Sequence, residues 1–409
     1  MDSDPYISHL QFISNHTEEY LSLLEEWVCI DSRTYHLPGL DEMIGRLMDS
    51  FRRLAPEAEV INLPDQIVTG HGGETEERRF GRTLRLTKTL EAPLKILLCG
   101  HMDTVQGPVT RTKNAMRPGD GRLWGTGATD AKGGLVVMLA ALDAFERSPY
   151  APGIGWEVLI VPDEEVGSGG SRFLLEQAAK GCDLGLIFEP AHDDGALVGE
   201  RMGSGIFSVT FHGRSAHAGR DIYKGINAID AMADFIVAMR GLKTGEDQVR
   251  INVGAVEGRG PLNVVPDLAR CRFNIRVRTA EAMEAVRQGL DRIAARIGQQ
   301  EGLSLEINGG FTRPPKTLTP EIRYLLEKCA SCGRDLGLDL HWRWSGGVCD
   351  GNTLLAAGLP NVDSLGPFGK GIHTKEEYAW EDSIPERAQL VALFLMKLGA
   401  KEISWPPVL

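Results

Sequence analysis

KILLCGHMDTV, Lys95 to Val105, runs a short apolar segment into Gly100 and places His101 and Asp103 directly after it. A continuous apolar run of this length ending on glycine is the pattern of a strand buried on both faces. Working outward, Gly133–Arg147 reads as a helix, WEVLIV (Trp156–Val161) as a second buried strand, Ser171–Lys180 as a helix and LGLIFE (Leu184–Glu189) as a third strand. Strands alternating with helices at this spacing predict an α/β domain with a largely parallel central sheet flanked by helices.

The pattern changes near Arg201. IFSVTFHG (Ile206–Gly213) alternates apolar and polar residues, as a strand with one solvated face does. A helix over Gly225–Leu242 follows, then strands over Val249–Val256 and Ala269–Val277, a helix over Ala280–Gly298 and a last strand over Leu303–Ile307. The order β-α-β-β-α-β predicts an inserted ferredoxin-like α+β domain. TRPPKTLTP (Thr312–Pro320) reads as its exit linker; beyond it VDSLG is expected as a strand and Ser383–Leu398 as the final helix. The expected organisation is a larger domain of residues 1–201 and 313–409 with a smaller domain of residues 202–312 inserted into it. A length of 409 residues agrees with more than one core, at roughly 100–200 residues per domain.

Composition narrows the partners. The chain is 42% hydrophobic and 24% charged, with no apolar tract of the ~18 residues that a membrane span needs. Its formal charge of −12 argues against nucleic acid or an anionic membrane, both of which demand basic patches. MDSDPYISHLQF lacks the basic start and apolar run of a signal peptide, so a cytoplasmic protein is expected. Seven scattered cysteines suit reduced thiols, and Cys329 and Cys332 read as helical thiols without a second pair to complete a zinc site.

The acidic and imidazole side chains fall where strands end. His101 and Asp103 follow the first strand, Asp130 lies in GTGATDAKGG ahead of a helix, Glu164 and Glu165 follow the second strand in DEEVGSGGS, and Glu189 ends the third. His373 sits far downstream in GIHTKEE. In open α/β sheets the carboxyl ends of strands are where ligands bind. Taken singly, each has an ordinary reading: a hydrogen-bonded loop histidine, a solvated Glu-Glu pair, a glycine-rich turn that matches no phosphate-loop pattern. Several strand ends carrying such groups together are not what sheet packing requires.

With GHMDTV, GTGATDAKGG, DEEVGSGGS, FEP, GRSAHAG, NVVP and GIHTKEE in order, the chain resembles the two-zinc exopeptidases and deacylases. That family includes glutamate carboxypeptidase, acetylornithine deacetylase, succinyl-diaminopimelate desuccinylase and aminoacylase, the glutamate carboxypeptidase branch being nearest. The resemblance implies two Zn²⁺ per chain, with Co²⁺ or Mn²⁺ as substitutes. It implies that Asp130 bridges the ions, that His101 and Glu189 complete one site, and that Glu165 and His373 complete the other. It makes Glu164 the general base acting on a metal-bridging hydroxide, and Asp103 the partner of the far nitrogen of His101. It makes the larger domain the zinc-dependent catalytic one and the inserted domain a lid and dimerisation domain, and His217 in GRSAHAG would reach across a homodimer formed through that lid to steady the oxyanion. Asn263 and Arg276 would hold the substrate's carboxylate, and Gly347 would let backbone approach the substrate. SGGVCDG departs from the family pattern in placing Cys349 before Asp350.

The implied activity is hydrolysis of an amide bond beside a free carboxylate, releasing a C-terminal amino acid from an N-acyl amino acid or short peptide. Its rivals are a deacylase of small N-acyl amino acids and a binding protein that kept the fold without catalysis.

Overall fold

The computed structural model describes residues 5–55, 57–69, 75–89, 91–109, 116–242 and 247–407. It divides into two compact units, Met1–Gly199 with Leu318–Trp344 and Cys349–Leu409, and Glu200–Thr317 with Ser345–Val348. Ser345–Val348, assigned from sequence to the first domain, groups with the second, where the Met202 N–H donates to Ser345 O (3.2 Å).

The first unit is built on a six-stranded sheet ordered Glu57–Ile61, Thr83–Lys88, Ile154–Val161, Leu94–His101, Leu184–Ile187, Asn361–Val362. The last four strands run parallel; the first two are antiparallel additions at one edge. Ile154–Val161 is buried at every position, which is why it reads as an unbroken apolar run. Helix Lys132–Glu146 is buried along fourteen of its fifteen residues and packs on helix Ser383–Gly399. Gly134 permits the close approach at its start, because a Cβ there would lie 2.1 Å from Phe188 O.

Two expectations change here. VDSLG is a strand only at its start: the ladder covers Asn361–Val362, Asp363 makes an isolated bridge to Val198, and beyond Ser364, at a φ of 64°, Leu365 N–H still donates to Ile187 O (3.0 Å). TRPPKTLTP is only briefly a linker, because Thr312 and Arg313 end a strand and Pro320 opens the helix Pro320–Asp335. That helix holds Cys329 and Cys332 buried, and none of the seven cysteines forms a disulfide.

The second unit has a four-stranded antiparallel sheet ordered Val249–Gly258, Leu268–Val277, Gly203–His212, Ser304–Arg313, with helices Ala228–Met239 and Ala280–Ile297 supplying the core of one face. Asn227 and Thr279 cap those helices by accepting backbone N–H groups. In Leu268–Val277 the residues Ala269, Cys271, Phe273, Ile275 and Val277 are buried, while Arg270, Arg272, Asn274 and Arg276 alternate to the other face. The last strand extends past the expected Ile307. Gly309 carries it through at a φ of 92°, where a Cβ would stand 2.2 Å from Ile206 O.

Candidate active site

Three neighbouring parallel strands deliver the first group of side chains. Leu94–His101 ends on His101; Ile154–Val161 leads into a single 3₁₀ turn, Glu164–Val166; Leu184–Ile187 leads into Phe188 and Glu189. Asp130 arrives from the loop ahead of helix Lys132–Glu146, and its peptide bond to Ala131 is cis. His373 comes from a loop near the other end of the chain and sits at a φ of 64°, uncommon for a residue with a Cβ.

These residues converge. Asp130 stands between two imidazoles, Oδ1 3.1 Å from His101 Nε2 and Oδ2 3.3 Å from His373 Nε2. Glu189 Oε1 lies 3.7 Å from His101 Nε2, and Glu165 Oε2 lies 3.1 Å from His373 Nε2. The other Glu165 oxygen, Oε1, is buried with no hydrogen-bond partner. His101, Asp130 and Glu165 offer ligand atoms all within 4.8 Å of one another, a spacing that suits a metal ion. Imidazole nitrogens and carboxylate oxygens are the donors that zinc and similar divalent ions accept.

The electrostatics point the same way. Burial pushes the Asp130 carboxyl up, but hydrogen bonds from His101 and His373 outweigh it and hold the group well below the usual carboxylate range. Those contacts to Asp130 and Glu165 raise His373 to about 10. Burial works against a charged His101, yet its bonds to Asp103 and Asp130 carry it well above the ordinary imidazole range. Burial lifts Glu165 to about 7. The carboxylates thus draw protons onto both histidines, and a divalent cation would meet the same demand for positive charge while displacing those protons.

Supporting groups hold the centre in place. Asp103, fully buried, faces His101 Nδ1 with its main-chain oxygen at 3.0 Å and its Oδ1 at 3.3 Å. Its two carboxylate oxygens also accept the Glu164 and Glu165 N–H groups (3.1 and 3.2 Å) and the Thr34 hydroxyl (2.8 Å). Glu377 accepts from the backbone N–H groups of Gly127, Thr129 and Asp130, each at 3.0 Å, and so ties the Asp130 loop to the segment bearing His373. Asp163, the first acid of DEE, caps the turn at Gly170 and Ser171. Thr34 and Glu377 were not singled out from sequence. Glu377 lies four residues past His373 inside the quoted GIHTKEE, whereas nothing around Thr34 signals its contact.

The remaining site residues lie in the second unit and do not all meet. His217 is exposed, and its Nδ1 accepts the N–H groups of Gly219 and Arg220 (3.1 and 3.2 Å), which puts the ring proton on Nε2. Asn263 is beside it, its carbonyl accepting from Ala218 N (2.9 Å). Arg276, bonded through Nε to Asn274 Oδ1 (3.1 Å), sits opposite Ser204 at the far end of the sheet. Seven residues of strand, roughly 23 Å, separate Arg276 from Ala269, the end from which the Asn263 loop departs. Asn263 and Arg276 of one chain therefore cannot close on one carboxylate. Gly347 lies toward Arg276's end, its N–H donated to Ser345 Oγ (3.1 Å).

Residues 97–397 match the sequence model of peptidase family M20/M25/M40. Carboxypeptidase G2 of Pseudomonas sp. (strain RS-16) is 29% identical over 311 residues, 75% of this chain and 74% of that protein. A succinyl-diaminopimelate desuccinylase of Verminephrobacter eiseniae (strain EF01-2) is 29% identical over 337 residues, 76% of this chain and 80% of that one. Among solved structures, aminopeptidase PepT from Bacillus cereus ATCC 10987 aligns with a TM-score of 0.72 at 23% identity, covering 93% of this chain and 98% of that one, a likeness of fold. No helix among the described residues is long and apolar enough to cross a membrane.

Proposed function

Since this chain belongs to peptidase family M20/M25/M40, and so is a metal-dependent hydrolase rather than a binding protein, we propose that it uses two zinc ions to cut an amide bond beside a free carboxylate and releases a C-terminal amino acid. The observation that carries this reading is Asp130, with one oxygen turned to each of two histidines and a glutamate at either side. Asp130 would hold both ions, His101 and Glu189 one of them, Glu165 and His373 the other; cobalt or manganese would substitute. When bound, such a pair would supply Lewis acidity at the scissile carbonyl and lower the pKa of the attacking water toward ~7. Glu164 takes the proton from that water and hands it to the leaving nitrogen. Asp103 fixes the tautomer of His101, as carboxylates behind a ligating imidazole do. The seven thiols outside any disulfide suit the cytoplasm.

The second unit supplies recognition. Arg276 grips the substrate carboxylate through its two-pronged donors. The Nε2–H of His217 is available to the developing oxyanion. His217 serves the active site of a second chain, in a homodimer formed through the second unit, and Asn263, whose carbonyl accepts from Ala218 N, lies beside it. Mixing inactive His217→Ala chains with inactive Glu164→Gln chains should regenerate activity, measured after subunit exchange is verified. A mixture that stays inactive would overturn the trans assignment.

The desuccinylase likeness favours a second reading, deacylation of small N-acyl amino acids. A panel of N-acyl and dipeptidyl amino acids, each as free acid and as amide, tests both with added zinc. Blocking the carboxylate should cost about 2–5 kcal/mol of transition-state binding, the loss expected when a buried charge pair loses a partner. Arg276→Ala should lower kcat/KM for the acids and narrow the gap to the amides. Amides that turn over as fast as acids would replace the proposal with a general amidase.

A further inference from the structure

Beside the candidate metal centre the first unit has a cavity of about 430 Å³, lined by Arg33–His36, Thr104, Val105, Glu165 and Val166. Its walls are unusual for a surface. Among the described residues of this unit five large hydrophobic side chains are exposed, and three of them line this cavity: Tyr35 (45%), Val105 (44%) and Val166 (40%). Apolar side chains left open to water in one concave place mark a binding site.

The cavity is continuous with the catalytic groups. Glu165 forms part of its wall and reaches His373 at 3.1 Å, while Thr34 donates to Asp103, the partner of His101. The arginine at the rim is already engaged. Arg33 is held by Asp31 through Nε to Oδ1 (2.9 Å) and Nη2 to Oδ2 (2.7 Å), which neutralises its charge. The aromatic wall is set in advance: Arg78 donates to Tyr35 Oη (3.2 Å) and stands 5.4 Å from the ring centre, with Phe80 6.0 Å away. A preformed cavity with three exposed apolar side chains in its wall and its arginine paired favours an uncharged apolar group.

The geometry points to this cavity as the acyl-side subsite, taking an uncharged apolar or aromatic acyl group next to the scissile carbonyl. The assignment rests on the proposed function, in which the carboxylate of the leaving amino acid is bound by Arg276 and the acyl half is left for the first unit. It narrows the substrate class from any N-acyl amino acid to those with a hydrophobic acyl part.

The experiment is a series of one amino acid acylated with acetyl, butyryl, hexanoyl and phenylacetyl groups, assayed with the zinc-loaded protein. Across it kcat/KM should rise on the order of tenfold to a hundredfold, the discrimination a hydrophobic pocket provides. Val105→Asp and Tyr35→Ala, both at exposed positions, should flatten the series. In parallel, calorimetry should show phenylacetate binding on the order of tenfold more tightly than acetate, and Val105→Asp should erase that preference. Hydrolysis with a flat series, or an unchanged slope in both variants, overturns the subsite and leaves the proposed function standing. If no substrate in the series is cleaved, the proposed function fails, and the calorimetric comparison alone decides whether the cavity binds apolar acids.

Discussion

Glu164→Gln should lower turnover by about 10²–10⁴-fold, the usual worth of general acid–base assistance, with the metal content of the protein unchanged. Its neighbour should behave differently: Glu165→Gln should lose metal first and activity in consequence. The two residues share one 3₁₀ turn, and successive side chains on such a turn project in different directions. Glu165 is the one whose oxygen reaches His373 at 3.1 Å and whose ligand atom falls within the compact group with His101 and Asp130. The Glu164 backbone is held by Asp103, so an isosteric amide leaves the turn in place. Zinc content by atomic absorption and kcat on a cleaved substrate separate the outcomes. Equal loss of metal in both variants would show that base and ligand have been assigned wrongly.

What could be read from the sequence divides along physical lines. KILLCG, WEVLIV and LGLI are legible as strands because central parallel strands are apolar on both faces, and the acids and histidine at their ends stand out against that background. Glu57–Ile61 and Thr83–Lys88 are less visible: the first is an edge strand exposed over Glu57–Glu59, with only Val60 and Ile61 half-buried, and antiparallel pairing leaves no contiguous run. The extension of Ser304–Arg313 is hidden by Gly309 and Gly310, which look like a strand end until the tight contact with Ile206 O explains them. Metal-site candidates are legible as residue types in order. The backbone contacts that fix them, such as Glu377 on the Asp130 loop, depend on a juxtaposition about 250 residues apart in sequence that no local pattern records. The separation of Asn263 from Arg276 likewise needs the register of the sheet.

Asp130→Asn should have the larger effect, taking hydrolysis to background with most of the metal lost. Ions sharing one carboxylate in such sites lie ~3.5–4 Å apart, and both depend on the shared group's charge and on its two equivalent oxygens. An amide offers one oxygen and turns an NH₂ toward the other site, so it removes one donor and one negative charge together. The structure also separates this effect from unfolding. Glu377 binds the Asp130 loop through backbone N–H groups, which the substitution leaves intact, so the variant should melt close to metal-free wild-type protein. Wild-type protein should carry about two divalent ions per chain, lose hydrolysis on chelation, and regain it with zinc or cobalt; Asp130→Asn should not regain it at the same metal concentration. Metal analysis, hydrolysis and thermal melting on the same samples decide the matter. Full activity in metal-free wild-type protein, or an asparagine variant that keeps both its metal and its turnover, would remove Asp130 from the centre of the mechanism.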